Sequence, residues 1–247
     1  MLRSFPSQVF GGPTCSALTA RVEDLLIDNR ACFQILYDHQ LDGLRRGGGT
    51  AGLSSRDGEA LADKQPVPPR ALVLAGCVAM GDGEVEAIRR FVASGGRVCA
   101  IGPVATHDRW MRPRPKPALD DLPDASVVRV KESADWMAAI RTACGGTLSL
   151  SIASPKGAAP AGLCAELTEQ PGRRLVHLVN YRGDGPIGDL DVAVQLPHGT
   201  RAKSVRLASP DRPADRSVAF EESPAAVRFT VPEVKVYEIA VVEFSGP

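Results

Sequence analysis

The sequence predicts an open, parallel α/β sheet followed by an antiparallel β-sandwich. Two observations carry that expectation. A strand, a helix and a second strand follow one another within residues 71–102, and from Gly146 onward the hydrophobic period changes from helical to alternating. The balance of residue types agrees, since 44% hydrophobic and 23% charged residues give enough apolar material for a folded core. At 247 residues, length alone does not separate one large domain from two ordinary ones.

The βαβ unit is the clearest element. Ala71 to Ala75 is a continuous apolar run, read as a buried strand. Asp82 to Ser94 has helical spacing, acidic residues in its first turn and Gly95-Gly96 to end it. Arg97 to Gly102 returns at once as a second buried strand, and such a crossover makes its two strands parallel. Upstream, Leu18, Val22, Leu25 and Leu26 recur at helical spacing between Ser16 and Asn29. Ala31 to Tyr37 is read as a further buried strand. No strong strand precedes Ser16, and the segment Gln8 to Phe10 is read as the remnant of one. Residues 46–69, with Gly47 to Gly49 and three prolines, show no periodicity and read as a mobile surface loop. After a Pro-rich, basic stretch from 103 to 117, Ser126 to Val130 gives one more strand and Ser133 to Cys144 one more helix.

From Gly146 about eight short β-patterned segments follow, separated by Pro, Gly and Asp, with no helix between them. They run from Thr147 to Ile152 at the start to Lys235 to Phe244 at the end. The expected boundary is therefore 145/146, with an α/β domain over 1–145 and a sandwich over 146–247.

Charge and cysteine content exclude several functions. Lys plus Arg and Asp plus Glu both number 29, so no net field would draw the chain to nucleic acid or anionic lipid. Neither a nucleic-acid nor a membrane partner is expected, because no apolar run approaches the length of a membrane span. The six cysteines are scattered, without a CxxC pair or a compact framework, so neither a zinc site nor a disulfide scaffold is expected. Free thiols fit a reducing, cytoplasmic setting.

Two stretches carry a family resemblance. Leu72 to Gly102, with its Gly-Cys turn, acidic helix start and Gly-Gly stop, resembles the trimerisation domain of family 42 β-galactosidases and related glycosidases. Leu175 to Tyr181 and Val227 to Tyr237 are similar to the β-sandwich that closes such enzymes. The resemblance implies a flavodoxin-like, class I glutamine-amidotransferase-like sheet. It also implies a non-catalytic accessory or oligomerisation region, because hydrolysis in that family is done by two glutamates on a (β/α)8 barrel of about 250 residues for which this chain has no room. The implied partners are further copies of the chain, as a trimer, or such a barrel. No cofactor and no metal is implied.

Five residues stand out as site candidates. Cys77 follows the strand at 71–75, as an amidotransferase nucleophile would follow its strand. In the family comparison, however, that turn follows the next strand, where the sequence reads Gly102-Pro103. Cys77 is therefore expected to be a structural thiol. His107, Asp108, Arg109 and Trp110 lie in the Pro-rich loop at the carboxyl edge of the sheet, where open α/β folds bind ligands. Trp and Arg are also favoured interface anchors, and the contact reading is preferred. Asp82, Glu84 and Glu86 are explained by the helix dipole. His177 is read as a hydrogen-bonded sheet residue. Two rival functions remain: a carbohydrate-binding sandwich, which needs a platform drawn from Tyr181, Phe220, Phe229, Tyr237 and Phe244, and a stand-alone hydrolase using Cys77 or His107.

Overall fold

A computed structural model describes residues 1–44, 69–131, 135–223 and 226–245. The chain divides into two units. The first holds described residues 1–25, 33–44 and 69–147; the second holds 26–32 and the residues from 148 onward.

In the first unit five parallel strands, β1 (Leu2–Arg3), β2 (Leu36–Tyr37), β3 (Ala71–Ala75), β4 (Arg97–Ile101) and β5 (Val127–Val130), form one sheet in the order β2-β1-β3-β4-β5. Strand alternation divides the sheet's residues between two faces. Leu72, Leu74, Val98, Ala100 and Val127 share a core with Val85, Ile88, Phe91 and Val92 of α3 (Asp82–Ala93). The alternate residues Val73, Ala75, Cys99 and Ile101 are also buried, on the face of α2 (Gly12–Asp28) and α4 (Trp136–Ala143). Thr19 of α2 donates to the Ala75 carbonyl, and the Arg21 guanidinium lies 4.8 Å from the centre of the Trp136 ring on α4. Both α3 and α4 end in paired glycines. Gly95 (φ +88°) and Gly145 (φ +84°) take the left-handed conformation, and Gly96 and Gly146 donate to the carbonyls of Phe91 and Arg141, which closes each helix.

The N-terminal segment corrects the sequence reading. The first strand is Leu2–Arg3, in the interior of the sheet, and Gln8 to Phe10 belong to a short helix, α1 (Phe5–Phe10). Ser4 caps that helix through Ser7 N, and Pro6 sits in its first turn. Two residues give too little alternation to register as a strand, although Leu2 is fully buried. The stretch 31–37 is likewise reduced to a two-residue edge strand, with Leu36 buried but Cys32, Gln34 and Ile35 exposed. An edge strand pairs on one side only, so most of that apolar run is not demanded by the sheet. The loop expected over 46–69 lies, up to residue 68, outside the described residues, as do 133 and 134 of the last expected helix.

The second unit is built from antiparallel strands: β6 (Leu150–Ala153), β7 (Leu163–Gln170), β8 (Arg173–Asn180), β9 (Ile187–Val194), β10 (Arg201–Ala208), β11 (Arg216–Ser217), β12 (Phe220–Glu222), β13 (Val227–Val234) and β14 (Tyr237–Ser245). They form a five-stranded sheet, β11-β10-β14-β8-β7, and a four-stranded sheet, β12-β13-β9-β6. Val176, Leu178, Val205 and Val242 of the first share one apolar core with Leu150, Val192, Val194 and Val231 of the second. The short strands β11 and β12, close in sequence, lie in different sheets.

Candidate functional site

The order β2-β1-β3 places a topological reversal between β1 and β3, and in open α/β sheets ligands bind in the crevice beyond the carboxyl ends of such strands. Here the chain fills that crevice itself. Ser4 Oγ, just past β1, donates to the Ala79 carbonyl at 2.7 Å, and Ser7 Oγ accepts from Ala79 N at 2.8 Å while lying 3.0 Å from both the Ala79 oxygen and Ser4 Oγ. Both serines and Ala79 have no exposed surface. The sequence signal for this device was the Ser-Phe-Pro helix start at residues 4–6, which the sequence reading missed.

Cys77 lies in the floor of this region, 1% exposed. Its Sγ is 3.7 Å from the Leu2 carbonyl and 3.6 Å from that of Ala75, and burial pushes the thiol up to about 12. A nucleophile needs the opposite shift. After β4 the left-handed turn is present, with Gly102 at φ +71° donating to the Val130 carbonyl, but glycine brings no side chain to it.

The loop 103–117 is stitched to the scaffold. His107 N donates to the Val78 carbonyl and its own carbonyl accepts from Met80 N, so this backbone prolongs the β3–β4 pairing; its Nδ1 meets Thr106 Oγ1 at 2.9 Å. Asp108 is a brace for the loop tip: its Oδ1 accepts from Arg112 N and Trp110 N at 2.9 and 2.8 Å, and these bonds hold the carboxyl below the ordinary aspartate range. With Met111 at φ +60°, this bracing presents Trp110 with 73% of its surface exposed. Arg109 turns the other way and pairs with Glu84 at 3.1 Å, while Arg114 bonds Asp82 at 2.7 Å. The acidic start of α3 therefore serves specific partners as well as the helix dipole. The structure brings Arg109 to Glu84 but leaves Trp110 pointing to solvent.

Two cavities flank the loop. One, of about 470 Å³, is lined by Asp38, His39, Asp82, Gly83, Glu84 and Arg109. The other, of about 530 Å³ and mostly apolar, lies over Val98, Ala100, Leu119, Leu122 and Val127, where the connection from β4 to β5 carries no α-helix. Among the described residues no group of three or more His, Cys, Asp or Glu is placed to hold a metal, and no helix is long and apolar enough to cross a membrane. All six cysteines are unpaired.

In the second unit His177 bridges strands, with Nδ1 2.7 Å from Tyr237 Oη and Nε2 3.1 Å from Thr168 Oγ1. Phe229 and Phe244 are buried in or beside the core, Phe220 and Tyr237 are half-buried, and Tyr181 is 72% exposed.

No protein-family model and no curated protein matches the chain. Its fold is similar to several solved glycosidases. An α-L-fucosidase isoenzyme 2 from Paenibacillus thiaminolyticus shares 16% identity over 99% of this chain and 47% of its own, with a TM-score of 0.57. A β-galactosidase from Bacillus circulans sp. alkalophilus shares 9% over 95% of this chain and 38% of its own, with a TM-score of 0.53. An apo family 42 exo-carrageenase from Bacteroides ovatus shares 13% over 99% and 29%, with a TM-score of 0.51. At these identities the likeness is one of fold, and the chain spans less than half the length of each. The resemblance to part of a family 42-like glycosidase, without its catalytic barrel, is thus recovered in the fold: a five-stranded parallel sheet followed by two antiparallel ones.

Proposed function

We propose that this chain is a non-catalytic accessory and oligomerisation region of a glycoside hydrolase, whose chemistry belongs to a barrel outside the chain. The observation that supports this best is the carboxyl edge of the parallel sheet. The crevice where such a fold would take a reacting ligand is filled by Ser4, Ser7 and Ala79, while the surface around it is aromatic and exposed. Phe5 and Phe10 of α1, Tyr37 of β2 and Trp110 are 64, 61, 46 and 73% exposed. Each is a large aromatic side chain of about 200 Å², the type enriched at interface cores.

In this reading the domain expected over 1–145 is flavodoxin-like and amidotransferase-like, a class to which the strand order 2-1-3-4-5 belongs. Its loop 103–117 anchors a second copy of the chain or the barrel, and the sandwich, 146–247, braces the assembly. Unpaired cysteines suit a reducing, cytoplasmic setting. The hydrolase alternative would need Cys77 as a thiolate, against its burial, or His107 beside an acid–base partner, whereas its Nδ1 meets the Thr106 hydroxyl. The sugar-binding sandwich would need several coplanar exposed rings, and Tyr181 stands alone among the candidates named.

Light-scattering mass of the purified chain, measured across concentrations with Trp110→Ala and Phe10→Ser beside it, tests the proposal. An oligomer, trimer by family expectation, that either substitution weakens is the expected result. A strict monomer at every concentration removes the self-association claim.

A further inference from the structure

A parallel crossover ordinarily lays a helix over the strands it joins. The crossover from β4 to β5 carries only a 3₁₀ turn, Asp124–Ser126, because Pro103, Pro113, Pro115, Pro117 and Pro123 break every longer helical run in it. The sheet face that a helix would cover therefore meets a loop. Val98 and Ala100 of β4 are in register with Val127 and Arg129 of β5, so all four side chains stand on one face. The loop lays Leu119 and Leu122 against that face but does not fill it, and Ala100, in the middle of β4, has no side chain beyond its Cβ. What is left is a cavity of about 530 Å³, within the range of small-molecule sites, about 300–1,000 Å³.

The walls and the rim differ in kind. Leu74, Val98, Ala100, Leu119, Leu122 and Val127 make the walls apolar, and water in such a space finds few hydrogen-bond partners, so an apolar body gains by replacing it. The charged lining residues are Arg129, Lys131 and Asp120. Arg129 is held at the rim, its Nη2 donating to the Leu119 carbonyl at 2.8 Å and its Nη1 3.3 Å from Asp124. Lys131 follows two residues later on the same strand direction, and among the described residues no ion pair engages its ammonium.

We propose that this cavity binds a small apolar carboxylate, an aryl- or alkyl-alkanoic acid, with its body against the β4–β5 face and its head at Arg129 and Lys131. Two cations against one carboxylate favour an anionic head, and a guanidinium already fixed in place forms the stronger, charge-assisted kind of bond. The site goes beyond the accessory-region reading and does not share its surface. Phe5, Phe10 and Tyr37 lie beside β1 and β2, whereas β5 is the opposite edge strand, and the cavity takes only the base of the 103–117 loop, at Pro103, Val104, Thr106 and Pro117, leaving the Trp110 tip outside.

The test is a ¹H–¹⁵N NMR titration of the full chain with 4-phenylbutyrate and with octanoate, using 4-phenylbutanol, 4-phenylbutylamine and acetate as controls. Saturable shifts confined to residues 98–106, 117–122 and 127–131 are expected, with a Kd on the order of 0.1–1 mM for at least one of the two carboxylates. Lys131→Gln should weaken binding about fivefold, the most an exposed ion pair contributes, and Asp120→Asn should tighten it about threefold, since the one opposing charge is gone. Ala100→Leu, which puts an isobutyl group into the cavity, should abolish it. No saturable shift with either carboxylate, shifts centred elsewhere, the alcohol or the amine bound as tightly as 4-phenylbutyrate, acetate bound as tightly as octanoate, or weaker binding in Asp120→Asn would each overturn the assignment. These outcomes do not depend on Ala100→Leu folding. Light-scattering mass on the same samples separates this reading from the assembly one: an oligomer lost in Ala100→Leu, in a chain that binds neither carboxylate, gives the cavity to a second copy and overturns the small-molecule site, whereas a monomer that binds them overturns the assembly alone.

Discussion

Ser7→Ala should destabilise the α/β unit by about 2–3 kcal/mol, and Ser4→Ala by only about 1 kcal/mol, although the two serines sit in the same buried cluster. The difference follows from who is left without a partner. Ser7 Oγ is the acceptor for Ala79 N at 2.8 Å, and Ala79 is fully buried, so removing that oxygen strands a backbone N–H away from water. An orphaned buried donor costs about 1–3 kcal/mol, to which the lost contact of Ser7 Oγ with the Ala79 oxygen adds. Ser4→Ala strands less. The Ala79 carbonyl keeps Ser7 Oγ as a donor at 3.0 Å, and the cap to Ser7 N is already long at 3.5 Å. Because both hydroxyls converge on one carbonyl, the double mutant should also depart from additivity.

The assay is available in the chain as it stands. Its two tryptophans, Trp110 and Trp136, both belong to the first unit, and Trp136 is buried, so fluorescence during urea unfolding reports on that unit and not on the sandwich. With the slope unchanged, the midpoint should fall more for Ser7→Ala than for Ser4→Ala. At about 2–4 °C per kcal/mol, the thermal midpoint should drop by roughly 4–12 °C for Ser7→Ala. Equal effects, or a larger one for Ser4→Ala, would refute the account of the crevice as a sealed hydrogen-bonded joint. An open crevice would let water replace the hydroxyl, and then neither change would matter much.

A thiol reagent at pH 8 should label the exposed Cys164 in the native protein but leave Cys77 and Cys99 unreacted until unfolding, since burial pushes both thiols up to about 12; mass spectrometry of the labelled peptides reads this directly. Arg212→Met should destabilise the sandwich by about 3 kcal/mol, because it leaves the carboxylate of Glu238, 2% exposed and otherwise held by Arg212, buried and unpaired; thermal circular dichroism in the β region measures it. The brace at Asp108 should depend on acid. Its carboxyl is lowered from 3.8 by the Arg112 and Trp110 amides, so its contribution is fully present above pH 4 and is lost as pH falls through the lowered value. Hydrogen exchange at those two amides should therefore accelerate at low pH relative to their neighbours, and Asp108→Asn should abolish that dependence.

What could be read from the sequence was set by how much of the fold lies in long periodic elements. The 71–102 unit has runs of five to twelve residues and proper stops, and it stands within a residue of where pattern places it. Leu2–Arg3 could not be read this way. Its membership of the sheet interior depends on parallel partners at residues 36 and 74, distant in sequence, and two residues carry no period. The site followed the same division. Trp110 and Arg109 stand out in sequence as interface candidates because Trp and Arg are favoured anchors, whereas the bonds that Asp108 makes to the loop's own amides are set by local backbone geometry, which residue type alone does not reveal. The cleft residues Asp38 and His39 come together with Asp82, Glu84 and Arg109 because the parallel strands β2, β1 and β3 end at one edge and the segment 38–43 after β2 packs against α3. Side-chain chemistry at one edge of a parallel sheet is assembled from the ends of several strands, and strand order is the quantity that local pattern does not encode. A functional reading of such a chain therefore depends first on its topology, and in this one topology joins an aromatic rim, a filled crevice and a polar cleft at a single edge.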